Sequence, residues 1–364
     1  MHLLSQMHYH PSYKRTMGEL NLGNEYLLER TNEDYFSAIR PSELYLSKLH
    51  ALKEHLLKAR VVASLGMAGG EDLCTLAKMY GEGTRLIGVD ISPIALELAR
   101  RATLAAGLKV DFIQGNATSL NISDRSVDGF VLSAILHEVY SYAEDGKYAF
   151  AKTIEETYRK TSIDGCIFIS DFAAPGIEGK ASLQPKSKEA EKFINYFTNN
   201  FRKFNDIQKH IKKPLASNDP LYVKSGTETD SHLYLTSAFI SEALWHFKYY
   251  KKNSDCGRTF DNDFPLWKEI NEVYLPPNPL TLEGQPMPID EYIDTVRRIC
   301  HDTELTKEVT LKCVSAVLIP QRPNTVDMLD EHFTVALDDN DKISKSLITE
   351  CTNWMDLIFK KVSI

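Results

Sequence analysis

Two short stretches of this 364-residue chain carry residues whose types and spacing suit chemistry. One is SLGMAGGEDL, which sets Gly66, Ala68 and Gly70 two residues apart, ahead of the acidic pair Glu71 and Asp72. A dinucleotide fingerprint started from Gly66 needs further glycines at positions 68 and 71, where this chain has Ala68 and Glu71. The alternative G-x-G-x-G spacing is met at Gly66 and Gly70, with alanine in the middle. Glu71 and Asp72 suit the positive start of a helix but would repel a pyrophosphate held there. The loop therefore disfavours a pyrophosphate and tolerates a ligand that brings positive charge. The second stretch is SAILHEVYSYAEDGK. It offers His137, whose imidazole titrates in the range useful for moving a proton, and Glu138, able to orient that imidazole or bind an amine. Tyr140 and Tyr142 are placed to line a pocket beside them.

Positioning these groups is the task of the elements around them. Short apolar runs, RVVASL, TRLIGVD, KVDFIQG, VDGFVLS and GCIFISD, alternate with helical segments between Arg60 and Asp171. Among the segments, EDLCTLAKMY stops at Gly81, and SPIALELARRATLAAG opens with Ser92 as N-cap and Pro93 in the first turn and ends at Gly107. Buried parallel strands read as continuous apolar runs, so the alternation predicts an α/β fold built on a doubly wound, mostly parallel sheet. In such a sheet the turn from the first strand into the first helix is a ligand-binding corner, and SLGMAGGEDL falls there.

With its company, the loop resembles the class I S-adenosylmethionine-dependent methyltransferases, over about Val61 to Asp171 and in that family's motif order. VVASLGMAGG is similar to the glycine-rich motif, although Ser64 stands where an acidic residue is usual and Ala68 replaces a glycine. LIGVDIS matches the second motif and FIQGNATSL the third, while VDGFVLSAILHEV matches the strand and turn at the methyl-transfer site and DGCIFISDF the fifth strand. The resemblance implies a Rossmann-like sheet of seven strands, with N-terminal helices and a helical insertion or cap. It implies S-adenosylmethionine as cofactor, held at Gly66, Ala68, Gly70, Asp90, Ile91, Asn116, Ala117 and Ser133. Asp90 would take the ribose hydroxyls, and Asn116 with Ala117 the adenine. Lesser roles remain open: Asp90 as a helix cap, Asn116 as a turn residue, His137 as packing. The usual contact to the methionine ammonium, lost at Ser64, would fall to a water or to Glu71. His137 is similar in position to the histidine that acts as general base in some small-molecule O-methyltransferases.

The sheet does not account for the whole chain. The expected organisation is an N-terminal helical segment at 1–57, the cofactor-binding core at 58–174, a helical substrate or lid region at 175–288, and a C-terminal part at 289–364 that completes the sheet and adds a terminal helix. SELYLSKLHALKEHLL places Leu44, Leu49, Leu52 and Leu56 near one helical face. FINYFTNNFRKF carries Phe193, Phe197, Phe201 and Phe204, a stripe that suits packing and, as a second reading, a lid. YLTSAFISEALWHFKYY reads as a further helix, YLPPNPLTLEGQPMP as an extended connector, and VTLKCVSAVLIP as closing strand material. Phe193, Tyr196, Phe197, Trp245, Tyr249 and Trp267 would suit an apolar or aromatic acceptor.

Composition narrows the partners. With 43% hydrophobic and 25% charged residues, the chain reads as an ordinary globular protein. A net charge of −8 disfavours nucleic acid, whose phosphates demand a basic face. No apolar run reaches the roughly 18 residues of a membrane span, and the N-terminus lacks the order of a secretory signal, so a cytoplasmic location without membrane attachment is expected. The six cysteines form no C-x-x-C pair and no zinc-finger spacing, which gives no metal site and favours inert thiols. His2, His8 and His10 read as a tail that happens to contain histidines, and KHIKK as a solvated helix face. The functional expectation is methyl transfer to an oxygen or nitrogen of a small molecule. A protein methyltransferase and a cofactor-binding module without catalysis are the alternatives.

Overall fold

Five apolar runs form strands of one sheet, and the first, second, fourth and fifth are buried along most of their length, as strands between layers of helix are. They are seen in a computed structural model that describes residues 49, 52–143, 145–176, 180–201, 233–254, 272–281, 286–303, 308–337 and 345–364. In chain order the elements begin β1 (Val61–Leu65), α1 (Glu71–Tyr80), β2 (Arg85–Asp90), α2 (Pro93–Ala105), β3 (Val110–Gln114) and β4 (Val127–Ser133). There follow α3 (Leu136–Tyr142), α4 (Gly146–Lys160), β5 (Thr161–Phe172), β6 (Lys180–Pro185), α5 (Lys188–Asn200), β7 (Leu233–Thr236) and α6 (Ser237–Ser254). The last are α7 (Ile289–Thr303), β8 (Val309–Ile319), α8 (Pro323–His332), β9 (Phe333–Leu337), α9 (Lys345–Cys351) and β10 (Trp354–Ser363).

Contacts divide the chain into two units, with residues 1–171, 293–317 and 356–364 in the first and residues 172–292 and 318–355 in the second. The first unit holds the seven-stranded sheet, in the order β3-β2-β1-β4-β5-β10-β8. The pairs β1 with β2, β1 with β4, β2 with β3, and β4 with β5 are all parallel. The order reverses beside β1, so the first and fourth strands diverge at the switch point where such sheets bind ligands. On the sheet pack Leu73 and Leu76 of α1, Leu96 and Ala99 of α2, and Leu49, Leu52 and Leu56 from the N-terminal segment, all buried. Leu44 of that predicted face lies outside the described residues, as do His2, His8, His10, KHIKK, Phe204, Cys256 and Trp267.

The entering ends of the strands are tied by Asp128, whose Oδ2 accepts the amides of Arg60 and Val61 (2.8 and 3.0 Å) and whose Oδ1 accepts the Ser162 hydroxyl (3.0 Å). Near the C-terminus the buried Lys361 of β10 donates to the carbonyls of Tyr158 and Thr161 (2.9 and 3.1 Å), closing the junction of α4 and β5.

The second unit contains an antiparallel sheet of its own, ordered β7-β6-β9. This revises the sequence reading of residues 175–288 as helical, because YLTSAFISEALWHFKYY splits into strand β7 and helix α6. A four-residue strand followed at once by helix shows no alternation long enough to register as a strand. The phenylalanine stripe packs inward: Phe193, Phe197 and Phe201 are buried with Phe239, Phe247 and Phe333. Trp245 is buried beside Phe172. In place of the expected terminal helix, the last described element is strand β10, and the helix before it, α9, belongs to the second unit.

Candidate active site

Parallel register sets the carboxyl ends of four strands side by side. Leu65 pairs with Val89 and with Leu132, and Asp90 pairs with Gln114, so the turns after β1, β2, β3 and β4 leave the sheet at one edge. Gly66, Ala68, Asp90, Ile91, Asn116, Ala117 and Ser133 are all half-buried there, neither sealed in the core nor standing free.

The glycine-rich turn is shaped by its backbone. Gly66 (φ 65°) and Gly70 (φ 85°) both lie in the left-handed region, and a Cβ at Gly66 would overlap the Ile135 side chain. Ala68 between them also has positive φ, 45°, a conformation that disfavours any residue with a Cβ. The Asp90 carboxylate holds this turn, since Oδ2 accepts the Ala68 amide (3.2 Å) while Oδ1 accepts the amide of Ser92 (2.9 Å). Ser92 in turn caps α2 by accepting the Ala95 amide (3.1 Å). Asp90 thus ties the loop to the helix, and each of its oxygens keeps capacity for a further donor.

Asn116 curls its side chain onto its own turn, with Oδ1 accepting the amide and the hydroxyl of Thr118, each at 3.0 Å. The carbonyl of Ile91 accepts Gln114 Nε2 (3.3 Å), binding the second turn to the end of β3.

After β4 the chain turns sharply at Ala134 (φ 54°), whose amide donates to the Ser170 carbonyl (2.8 Å), and enters α3. No side chain of the N-cap residue Ile135 satisfies the first amides of α3. Asp171, at the end of β5, does so from the neighbouring strand: its Oδ2 accepts the amides of Leu136 and His137 (3.0 and 3.3 Å). Its Oδ1 lies 2.7 Å from His137 Nδ1, with both side chains buried. Since a carboxylate accepts, Nδ1 carries the hydrogen, and in the neutral ring Nε2 is the accepting nitrogen. Asp171 therefore orients His137 through Nδ1. Glu138 itself is half-buried in the first turn of α3. The sequence signal for Asp171 was an acidic residue at the carboxyl end of a strand next to the one that carries His137.

Asp72, which the sequence places at the start of a helix, has a partner outside that helix. The Ser64 hydroxyl, fully buried in β1, donates to Asp72 Oδ2 across the turn (3.1 Å). Burial alone pushes the Asp72 carboxyl up to about 7.

Residues 62–156 match the family model of a methyltransferase domain. The segment is a class I methyltransferase domain. Among curated proteins, the demethylmenaquinone methyltransferase of Thermus thermophilus is 27% identical over 107 residues, which is 29% of this chain and 45% of that protein. The chain thus spans less than half the length of this relative. Among solved structures, an S-adenosylmethionine-dependent methyltransferase from Aquifex aeolicus is 25% identical over 38% of this chain and 70% of its own, with a TM-score of 0.32. A 1,6-didemethyltoxoflavin-N1-methyltransferase from Burkholderia thailandensis is 12% identical over 87% and 77%, with a TM-score of 0.41.

The methyltransferase domain's residues fit S-adenosylmethionine, the cofactor of its class. The turn from Gly66 to Gly70 packs tightly against Ile135 and Ala99 at the sheet edge, and the acids Asp90 and Asp72 beside it suit hydroxyl donors and a cation.

Proposed function

We propose that this protein transfers a methyl group from S-adenosylmethionine to a hydroxyl oxygen of a small molecule, with His137 as the general base. The observation that carries this reading is the buried pair of His137 Nδ1 and Asp171 Oδ1 at 2.7 Å. A base is needed where the acceptor carries a proton that must leave as the new bond forms, and a hydroxyl has such a proton. Gly66, Ala68, Gly70, Asp90, Ile91, Asn116, Ala117 and Ser133 hold the cofactor, with Asp90 accepting from the ribose hydroxyls and Asn116 and Ala117 facing the adenine. When bound, the cofactor supplies a methyl carbon activated by its sulfonium, which leaves as a thioether. Asp171 fixes the imidazole so that Nε2 takes the hydroxyl proton, and Glu138 beside it contributes to the acceptor site. The name of the Thermus relative gives demethylmenaquinone as an acceptor, which supports a small molecule over a protein.

The test is formation of S-adenosylhomocysteine across a panel of phenols, enols, carboxylic acids and amines. Turnover on a hydroxyl acceptor is expected, and His137→Gln should lower it by about 10²- to 10⁴-fold with cofactor affinity unchanged. Turnover on amines alone, or a His137→Gln variant as fast as the parent, would defeat the assignment. No described helix is long and apolar enough to cross a membrane.

A further inference from the structure

Two carboxyl groups bracket the turn between β1 and α1. Asp90 grips it from the β2 side through the Ala68 amide. Asp72, the second residue of α1, grips it from the other side through the Ser64 hydroxyl. The two acids differ in how they are satisfied. Asp90 accepts two backbone amides, each at the start of a turn. Asp72 has only the neutral hydroxyl on Oδ2, and among the described residues no lysine, arginine or histidine forms an ion pair with it.

A carboxyl group 9% exposed and without a cation is an expensive feature. Asparagine would keep the hydrogen bond from Ser64 and leucine would fill the space, each at lower cost. Groups of this kind concentrate where a ligand supplies the missing charge. The surroundings agree with that, since Gly66 and Ala68 next to Ser64 are half-buried at the sheet edge. The cofactor of this domain carries an ammonium at its amino-acid end.

We propose that Asp72, delivered from α1, is the acid that holds the ammonium of S-adenosylmethionine, with Ser64 fixing its orientation from β1. The strand position that could have carried the acid has become the hydroxyl donor. Glu71, half-buried on the preceding position of the helix, is the competitor that this assignment sets aside. The inference rests on the methyltransferase reading of the site.

Calorimetry separates the two. S-adenosylhomocysteine has the ammonium, whereas 5′-methylthioadenosine has the same nucleoside without the amino-acid end. Asp72→Asn should weaken binding of S-adenosylhomocysteine by about 10- to 100-fold, the loss of one charge-assisted hydrogen bond, and leave 5′-methylthioadenosine within about twofold of the parent. Equal loss of both ligands would make Asp72 a support for the loop, and unchanged affinity for S-adenosylhomocysteine would remove it from the site. Either result overturns the proposal, as does a Glu71→Gln variant that shows the selective loss in its place. A parent that binds no S-adenosylhomocysteine overturns the methyltransferase reading itself. Should Asp72→Asn fail to fold, Ser64→Asp combined with Asp72→Ser keeps both groups in contact and moves the acid to the strand. This exchange should still prefer S-adenosylhomocysteine to 5′-methylthioadenosine, and a protein that binds both alike contradicts the proposal.

Discussion

A buried acid with no cation beside it makes stability depend on pH in a direction opposite to that of most carboxylates. Asp72 has its folded value raised from 3.8 to about 7 by burial, so the folded protein holds this proton where the unfolded chain has released it. The associated stability is fully present below about pH 4 and is lost as pH rises through about 7. Urea titrations of the parent without ligand should therefore include a declining contribution across that window, on the order of 4 kcal/mol, which Asp72→Asn removes. A variant whose stability follows the parent's at every pH would show the carboxyl to be ordinary. Asp171 should behave differently. With its amide oxygen still accepting from the α3 amides, Asp171→Asn can face Nδ1 of His137 with NH₂, which favours the other tautomer and takes the lone pair from Nε2. Turnover should fall by about 10²- to 10⁴-fold with S-adenosylhomocysteine affinity near the parent's, and a pH–rate profile should lose the limb set by His137. His137 and Asp90 were legible in the sequence because each sits in a recognisable stretch. The partnerships of Asp171 and Asp72 were not, because they depend on strand register and on which way a helix faces its strand.

At the scale of elements, the two turns that flank β1 and β4 share a feature that residue types alone conceal: each passes through an alanine with positive φ, Ala68 and Ala134. Such a conformation costs about 1–2 kcal/mol for a residue with a Cβ. It is held at Ala68 by the bond to Asp90 and at Ala134 by the bond to Ser170. Ala68→Gly removes the strain but frees the unfolded chain, which offsets about 0.4–1 kcal/mol. The expected outcome is a gain in stability of up to about 1 kcal/mol by urea denaturation with cofactor affinity little changed; a clear loss would mean that the alanine methyl makes a contact the turn needs. Asp90→Ala should act through the same element. By deleting acceptors for both Ala68 and Ser92 it should cost about 1–2 kcal/mol of stability as well as weakening S-adenosylhomocysteine by about 10- to 100-fold. The central strands of the large sheet, β1, β2, β4 and β5, were readable because burial on both faces writes itself as unbroken apolar runs. β6 was not: KASLQP is short and polar, and only Ala181 and Leu183 point into a core.

The whole molecule divides its labour along the chain in a way that linear segments do not describe. The first unit takes its closing strands from far down the sequence, residues 293–317 and 356–364, while residues 318–355 return to the second unit. Expecting residues 289–364 to belong to the sheet followed from VTLKCVSAVLIP; nothing local in α8, β9 or α9 announces a different destination, since which core an amphipathic element joins is settled by tertiary contacts. The second unit has a core of its own, in which Phe197 is fully buried, stacks on Phe193 and Phe201 at 5.4 and 4.5 Å, and faces His246 at 5.1 Å. Truncating such a ring removes its burial and leaves a cavity, so Phe197→Ala should destabilise that unit by about 3–5 kcal/mol. The residues proposed to hold the cofactor all lie in the first unit, and S-adenosylhomocysteine stabilises whichever unit binds it by mass action. Differential scanning calorimetry of the full chain should accordingly show a transition lowered by Phe197→Ala and a separate one raised by the ligand, with the ligand's dissociation constant unchanged in the variant. A single transition that both perturbations move together would show that the two cores unfold as one.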